Sequence, residues 1–164
     1  MKNLIFINGT MGVGKTSICR QLNRLLPASV WLDGDWCWMA DPFVATEETK
    51  KMVTDNIIHI LNNFISCSRY DNIILCWVMD YESIYESIVN YLDCENCNIF
   101  RFTICCSPQE LKKRIDGDTQ QLGRNFEKSL ERVSRFEKMD TVKFFNDGMS
   151  REESAQHIIK IIYR

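Results

Sequence analysis

A short apolar run changes abruptly into a glycine-rich turn near the start of the chain. Residues Leu4–Ile7 are apolar and are followed closely by Gly9–Thr16, which reads GTMGVGKT. The apolar run predicts a buried strand, and the residues after the glycines predict a helix that ends before Pro27. The pattern Gly-x-x-x-x-Gly-Lys-Thr between a strand and a helix is typical of a phosphate-binding loop. The fold must therefore let a strand lead into a helix through an anion-binding turn.

This turn is expected to hold the phosphates of a nucleotide. Glycines allow consecutive backbone N–H groups to point at an anion at the N-terminus of a helix. Lys15 can reach the β- and γ-phosphates, and the Thr16 hydroxyl can ligate Mg²⁺. We expect Lys15 to face solvent when no ligand is bound; the alternative is a plain glycine-rich turn. The expected nucleotide-binding residues are Gly9, Met11, Gly12, Val13, Gly14, Lys15, Thr16 and Ser17.

Short apolar runs alternate with amphipathic stretches along the rest of the chain, which indicates an α/β fold with a mainly parallel sheet. No repeat, low-complexity tract or linker divides the 164 residues, so we predict one domain, residues 1–164. We predict a three-layer fold of the P-loop NTPase type, with five strands and helices on both faces. The further predicted strands are Val30–Leu32, Ile73–Val78, Ile99–Cys105 and Val142–Phe145; the further helices are Glu47–Ser66, Ser83–Leu92, 108–115, Asn125–Met139 and one capped by Ser150.

The composition limits the expected partners. A net charge of −2 offers no electrostatic reason to bind nucleic acid. No apolar run is long enough to span a bilayer and no leader-like pattern follows Met1, so we expect a cytoplasmic protein that does not use a membrane. The eight cysteines lack a complete zinc-ligand spacing, and we expect reduced thiols, most of them in the core.

Two carboxylates follow the second predicted strand, at Asp33 and Asp35. Ligands of open α/β sheets bind beyond the carboxyl ends of the strands, so both side chains should face the same crevice as the phosphate-binding loop. One could lie near a metal ion while the other deprotonates or orients an incoming hydroxyl. The alternative is an Asp-Gly turn without chemistry.

Arginines are concentrated in the second half of the chain, around a polar segment at residues 116–124. Arg114 precedes this segment, Arg124 closes it, and Arg132 and Arg135 follow. Guanidinium groups stabilise the charge that spreads over a transferring phosphoryl group, and a mobile segment can exclude water. Each arginine could instead be a solvated surface residue, and Arg135 with Glu131 four residues earlier predicts a surface ion pair.

The third predicted strand ends in an unusual sequence. Asp80 follows it at a position where many ATPases place a carboxylate near Mg²⁺, but it comes late, and its metal role stays open. The aromatic and sulfur-containing side chains around it could line an acceptor pocket or could belong to the core. Trp36 and Trp77 are the expected acceptor-binding members; Trp38, Phe43, Met79 and Tyr81 are further candidates. Such a lining favours an acceptor with a planar or apolar part.

These features together resemble the small P-loop kinases, a group that includes adenylate, shikimate, gluconate and adenylylsulfate kinases. The chain is also similar to antibiotic-modifying members such as chloramphenicol phosphotransferase and the tunicamycin resistance proteins. The resemblance implies the strand order 2-3-1-4-5, a short lid at residues 116–124 and Mg²⁺-dependent use of ATP. The residues that carry it are the loop Gly9–Thr16, the triplet Asp33–Asp35, the helix start Ser107–Leu111 that leads to Arg114, and the arginines of the lid.

The resemblance also implies roles for single residues. Asp35 would bind the acceptor as the general base, and Asp33 would lie near Mg²⁺ with Thr16. Lys15, Asp35 and Arg124 are the expected catalytic residues. Other contacts are implied for Arg114 and the backbone of Asp147 and Gly148 at the adenine, and for Arg124 and Arg132 at phosphate.

We therefore predict an ATP-dependent kinase, monomeric or homodimeric, that phosphorylates a small molecule. The acceptor would be a hydroxyl or phosphate group of a nucleoside, nucleotide, sugar acid or antibiotic-like compound. The alternative is a regulatory NTPase without such an acceptor; its GTP-binding form would need an Asn-Lys-x-Asp base reader, which the sequence lacks. A kinase of nucleic-acid ends is a third possibility, and the negative net charge argues against it.

Overall fold

The computed structural model describes residues 1–118 and 125–164, and its centre is a five-stranded parallel sheet. The strand order is β2-β3-β1-β4-β5, which confirms the predicted order. The first strand lies in the middle, paired with β3 on one side and β4 on the other. The strands are β1 Lys2–Asn8, β2 Ser29–Asp33, β3 Asn72–Cys76, β4 Cys97–Cys105 and β5 Val142–Phe145.

The central strands are apolar because helices cover both faces of the sheet. Every residue of β3 is buried, and so are the last five residues of β1. Ile5 of β1 is in register with Ile74 of β3 and Phe100 of β4. The helices are α1 Lys15–Leu25, α2 Glu47–Ser66, α3 Glu82–Val89, α4 Pro108–Asp116, α5 Phe126–Glu137 and α6 Arg151–Ile162.

Two apolar clusters form the core, one on each face of the sheet. Ile18 and Leu22 of α1 pack with Ile158 of α6 on one face. Val53 and Ile57 of α2 pack on the other face, with side chains of α3. Helix α1 is thus held between the sheet and α6, so its N-terminus, where the glycine-rich turn ends, has a fixed position.

Some predicted bounds differ from those of the structure: α3 ends at Val89 rather than Leu92, and β4 begins at Cys97 rather than Ile99. Two further differences follow β3 and β2. β3 ends at Cys76, two residues before the predicted end at Val78. After β2 the chain forms a 3-10 helix, Gly34–Trp38, where only a turn was weighed. The Asp33 side chain accepts a hydrogen bond from the backbone N–H of Asp35 and so caps this helix. Within the described ranges, no helix is long and apolar enough to cross a membrane.

Candidate active site

The glycine-rich turn can exist only because some of its positions have no Cβ atom. Gly9 has φ 139°, and a Cβ atom there would lie 2.6 Å from the carbonyl oxygen of Ile104 in β4. Gly12 has φ 86°, and a Cβ atom there would lie 2.9 Å from Cγ1 of Ile115 in α4. Side chains other than glycine are disfavoured by both the positive φ and the close approach. The turn therefore packs tightly between β4 and α4.

Asn8 anchors the turn to the neighbouring strand, a role that the sequence analysis missed. Its side-chain amide donates to the carbonyl oxygen of Met79 at 2.7 Å and accepts from the N–H groups of Met79 and Gly9, each at 2.8 Å. Asn8 is buried, and so is Met79. The N–H of Trp77 still donates to the Ile7 carbonyl oxygen of β1 at 3.2 Å, and two residues later the backbone of Met79 pairs with the Asn8 side chain instead. The available signal was a polar residue at the end of an apolar strand.

A second anchor joins the turn to α5. The Thr10 hydroxyl, which is buried, donates to the carbonyl oxygen of Ser129 at 2.7 Å. A buried hydroxyl that is paired in this way holds the first turn of α5 against the loop. The turn is thus fixed from two sides before any ligand binds.

Lys15 is buried, with 9% of its surface exposed, so the expectation that it faces solvent is wrong. Its ammonium group donates to the Thr10 carbonyl oxygen at 3.0 Å and closes the loop on itself. Burial lowers the pKa of Lys15, whereas the nearby Cys76, Asp35 and Asp33 act in the opposite direction. The ammonium group is thus held at the loop before any ligand binds.

Thr16 and Asp33 come together, as predicted for a magnesium site. The Thr16 hydroxyl donates to Oδ2 of Asp33 at 2.9 Å, and Asp33 is 5% exposed. Hydroxyl and carboxylate oxygens suit Mg²⁺, which usually takes few protein ligands and completes its shell with phosphate and water. Among the described residues, no group of three or more His, Cys, Asp or Glu side chains could hold a metal ion by itself. The donor set therefore fits Mg²⁺ bound together with a nucleotide.

A cavity of about 890 Å³ opens above these residues at the carboxyl edge of the sheet. At one end lie residues that follow β5 or belong to α4 and α6, and at the other end lie residues that follow β2 and β3. Asp35 and Trp77 are at the second end. The lining residues are Met11, Gly12, Gly14, Lys15, Thr16, Ser17, Ile18, Asp33, Asp35, Met39, Cys76, Trp77, Val78, Glu110, Arg114, Asn146, Met149, Ser150, Arg151 and Ser154.

Arg114 lies against the phosphate-binding loop. Its guanidinium group donates to the Val13 carbonyl oxygen at 2.8 Å and to Oδ1 of Asn146 at 3.0 Å, and it forms an ion pair with Glu110 at 2.8 Å. Arg114 thus connects α4, the loop and the end of β5 at the edge of the cavity. Its contact with adenine stays a prediction.

Asp147 and Gly148 do not line the cavity, whereas their neighbours Asn146 and Met149 do. The Asp147 carboxylate accepts hydrogen bonds from the backbone N–H of Ser107, at 2.9 and 3.1 Å to its two oxygens. These bonds lower the pKa of Asp147. Asp147 therefore ties the loop after β5 to the start of α4, and a backbone contact of this segment with adenine stays a prediction.

The arginines of α5 pair with Asp80. Arg135 Nη1 lies 2.6 Å from Oδ2 of Asp80, and Arg132 Nε lies 3.6 Å from the same oxygen. The predicted partner of Arg135 was Glu131, and this was wrong because α5 turns the arginine toward the end of β3. The guanidinium group of Arg135 also lies 4.9 Å from the centre of the Tyr81 ring. None of these side chains lines the cavity.

The predicted aromatic residues are divided between different places. Trp77 lines the cavity, and it packs so closely on Gly34 that a Cβ atom there would lie 2.5 Å from its Cγ. The ring centre of Trp36 lies 4.8 Å from that of Trp31, with the ring planes tilted by 56°; Trp36 is 53% exposed and is not in the lining. Met79 is a core residue. Arg124 lies outside the described residues, and so does most of the predicted lid at 116–124.

Comparison with known proteins identifies a family for this chain and solved structures with a similar fold. The model of a family described as AAA domain matches residues 5–135. No curated protein sequence matches the chain. The structure is similar to that of a Deinococcus radiodurans tunicamycin resistance protein, with a TM-score of 0.72 at 16% identity, covering 99% of this chain and 96% of that one.

Two kinase structures are also similar. The APS kinase from Mycobacterium tuberculosis, solved with AMPPNP and APS, gives a TM-score of 0.67 at 13% identity, covering 99% of this chain and 98% of that one. A shikimate kinase from Acinetobacter baumannii, solved with shikimate, gives a TM-score of 0.66 at 15% identity; the match covers 99% of this chain and 95% of that one. These likenesses confirm the fold of the small P-loop kinases.

Proposed function

The chain belongs to the AAA-domain family, and from this premise we propose that it is a kinase that transfers the γ-phosphate of ATP to a hydroxyl group of a small molecule. The observation that carries the proposal is one cavity that is lined by the phosphate-binding loop, the Thr16–Asp33 pair and Asp35. A polyphosphate on the loop would thus lie beside a carboxylate that can receive a proton. Support also comes from the fold, which is shared with solved kinases of small molecules.

The proposed reaction uses the chain's own groups as follows. The loop N–H groups and Lys15 hold the β- and γ-phosphates and stabilise charge on the transferring group. Asp35 orients the acceptor hydroxyl and takes its proton while the acceptor oxygen bonds to the γ-phosphorus. The bond from that phosphorus to the β,γ-bridging oxygen breaks, and ADP leaves. Thr16 and Asp33 would hold Mg²⁺, which neutralises phosphate charge when bound.

The test replaces the proposed base. Asp35→Asn should lower the rate of acceptor phosphorylation by about 10²- to 10⁴-fold, because an amide cannot accept the proton. Binding of a non-hydrolysable ATP analogue, measured by calorimetry, should change little. Asp55→Asn is the matched control, since Asp55 is exposed on α2 and does not line the cavity.

The assay also separates this proposal from the alternative of a regulatory NTPase. ADP release is measured with and without a panel of nucleosides, sugar acids and antibiotics that carry hydroxyl groups. A kinase gives phosphorylated acceptor in proportion to ADP. Hydrolysis that no acceptor accelerates, and that Asp35→Asn leaves unchanged, would contradict the kinase proposal.

A further inference from the structure

Two cysteines, Cys94 and Cys97, lie at the turn that leads from α3 into β4. β4 begins at Cys97, whose register partner is Lys2 at the start of β1. The cavity opens at the other ends of these strands, beside the loop that follows Asn8, and neither cysteine lines it. The pair is therefore separate from the proposed active site and takes no part in the proposed kinase reaction.

A tight turn holds the two cysteines near each other. The backbone N–H of Cys97 donates to the Cys94 carbonyl oxygen at 2.9 Å, across Glu95 and Asn96. The first and fourth residues of such a turn have Cα atoms less than about 7 Å apart, and disulfides join Cα atoms about 4.4–6.8 Å apart. The turn thus imposes a spacing that a disulfide can bridge.

Both cysteine side chains pack on the same part of the core. Cys94 and Cys97 are half-buried free thiols that pack against the apolar cluster to which Val53 of α2 belongs. Glu95 and Asn96, which lie between them in the turn, are exposed. The two thiols therefore leave the turn on the same side, as a disulfide between them requires.

The surroundings of Cys97 favour a disulfide over a stable thiolate. Burial raises the pKa of Cys97, and Cys94 acts in the same direction, whereas Lys2 and the α-amino group of Met1 act in the opposite direction. A pair whose thiolate is strongly stabilised stays reduced and acts as an oxidant, and this pair lacks that stabilisation. In the part of the chain that the structure describes, no group of three or more His, Cys, Asp or Glu could hold a metal ion, which argues against a metal site here.

We propose that Cys94 and Cys97 form a reversible disulfide by exchange with a low-molecular-weight disulfide such as glutathione disulfide. The thiolate of one cysteine attacks a sulfur atom of glutathione disulfide, an S–S bond forms, and one glutathione thiolate leaves. The thiolate of the other cysteine attacks the protein sulfur of this mixed disulfide and releases the second glutathione. The protein loses two electrons, which reduce the glutathione disulfide, and the two thiol protons end on the two glutathione molecules.

Cleavage of the chain between the two cysteines tests the proposal. The native protein is incubated with glutathione disulfide, its free thiols are alkylated, and it is digested without reductant after Glu, Lys and Arg. The digest separates Cys94 in residues 87–95 from Cys97 in residues 96–101, and each fragment holds one cysteine. Mass spectrometry should find the two fragments joined until a reductant is added. Fragments that stay separate, with alkylated thiols or bound glutathione, would overturn the proposal.

The same exchange in urea tests the role of the turn. At one ratio of reduced to oxidised glutathione, the joined fraction should be several-fold higher in the native protein than in the unfolded chain. The reason is that the folded turn keeps the two thiols close together. An equal or lower fraction in the native protein would overturn the inference, since the fold would then not favour the bond.

Single substitutions provide the controls. Cys94→Ser and Cys97→Ser should each abolish the joined fragments and leave the remaining cysteine of the turn with one bound glutathione. Cys67→Ser is the matched control, because Cys67 is also half-buried and its carbonyl oxygen accepts a hydrogen bond from Lys2. This variant should give the joined fraction of the wild type. Loss of the joined fragments in Cys67→Ser would show that Cys67 takes part in the exchange, and would overturn the assignment to the turn.

Discussion

A single buried ammonium group links the phosphate-binding loop to its proposed ligand. Lys15 is desolvated and bonded to the Thr10 carbonyl oxygen, and burial lowers its pKa. The free energy needed to desolvate this ammonium group is therefore already included in folding, before a phosphate binds. Preorganised sites stabilise transferring groups in this way.

Lys15→Met should lower phosphorylation by about 10²- to 10³-fold or more, the size found for loss of one preorganised donor. The free energy of unfolding should hardly change, because the methionine keeps the apolar stem and removes a desolvated charge. Activity and urea unfolding are measured together, with Lys160→Met on the exposed face of α6 as control. Wild-type activity in Lys15→Met would contradict the phosphate-binding role.

Gly34 has no room for a side chain beside Trp77. Gly34→Ala should lower the free energy of unfolding by about 1–3 kcal/mol, because the new methyl group overlaps the indole. The same change in a Trp77→Ala background should cost much less, since the indole is gone. Urea unfolding of the four proteins measures this coupling. An equal loss of unfolding free energy in both backgrounds would show that the contact between residue 34 and the Trp77 indole does not affect stability.

Sequence spacing could predict the loop glycines and Lys15, because they follow directly after one strand, whereas the proximity of Thr16 and Asp33, which follow β1 and end β2, was implied by the resemblance to small P-loop kinases. It could not predict the bonds from Asn8 to Met79 or from Arg135 to Asp80. Those partners are 71 and 55 residues apart and meet only when the sheet has formed. The exposure of Lys15 was predicted wrongly because solvent access depends on how the loop closes.

At the scale of elements, the starts of two helices depend on carboxylates. Asp147 accepts hydrogen bonds from Ser107 at the start of α4, and Glu153 accepts one from the Ser150 N–H at the start of α6. These bonds lower the pKa of both groups from their usual values of 3.8 and 4.5. A carboxylate with a lowered pKa stabilises the fold above that usual value and ceases to do so as pH falls through its folded-state pKa.

The double variant Asp147→Asn Glu153→Gln should therefore be less stable than the wild type at pH 7. The difference should shrink as the pH falls below 4, where protonation removes the same charges from the wild type. Urea unfolding midpoints at several pH values measure this trend. A difference that stays constant from pH 7 to pH 3 would show that the charges do not contribute.

Element order was predictable because apolar runs and helix caps are local signals. Helix α6 begins where its Ser150 capping box predicts, and α4 begins after its predicted Ser107 cap. Asn125, which caps α5, was predicted as part of that helix. The end of β3 and the 3-10 helix after β2 were not predictable, because their backbones are bonded to the side chains of Asn8 and Asp33.

At the scale of the molecule, the sheet order creates the site. The order places β1 between β3 and β4, so the loop after β1 lies at the centre of the carboxyl edge, between the segments after β3 and β4. Local pattern predicts a parallel sheet but not this order, which the resemblance to small P-loop kinases supplied.

Because several elements meet at one cavity, nucleotide binding should stabilise the whole fold. A Mg²⁺-bound, non-hydrolysable ATP analogue at 100 times its Kd adds about 2.7 kcal/mol, which raises Tm by about 5–10 °C in a protein of this size. Thermal unfolding of the wild type measures the shift, and Lys160→Met should keep it. Lys15→Met should lose most of it at the same analogue concentration, since the ammonium partner of the phosphates is missing. A full shift in Lys15→Met would mean that the analogue binds outside the phosphate-binding loop.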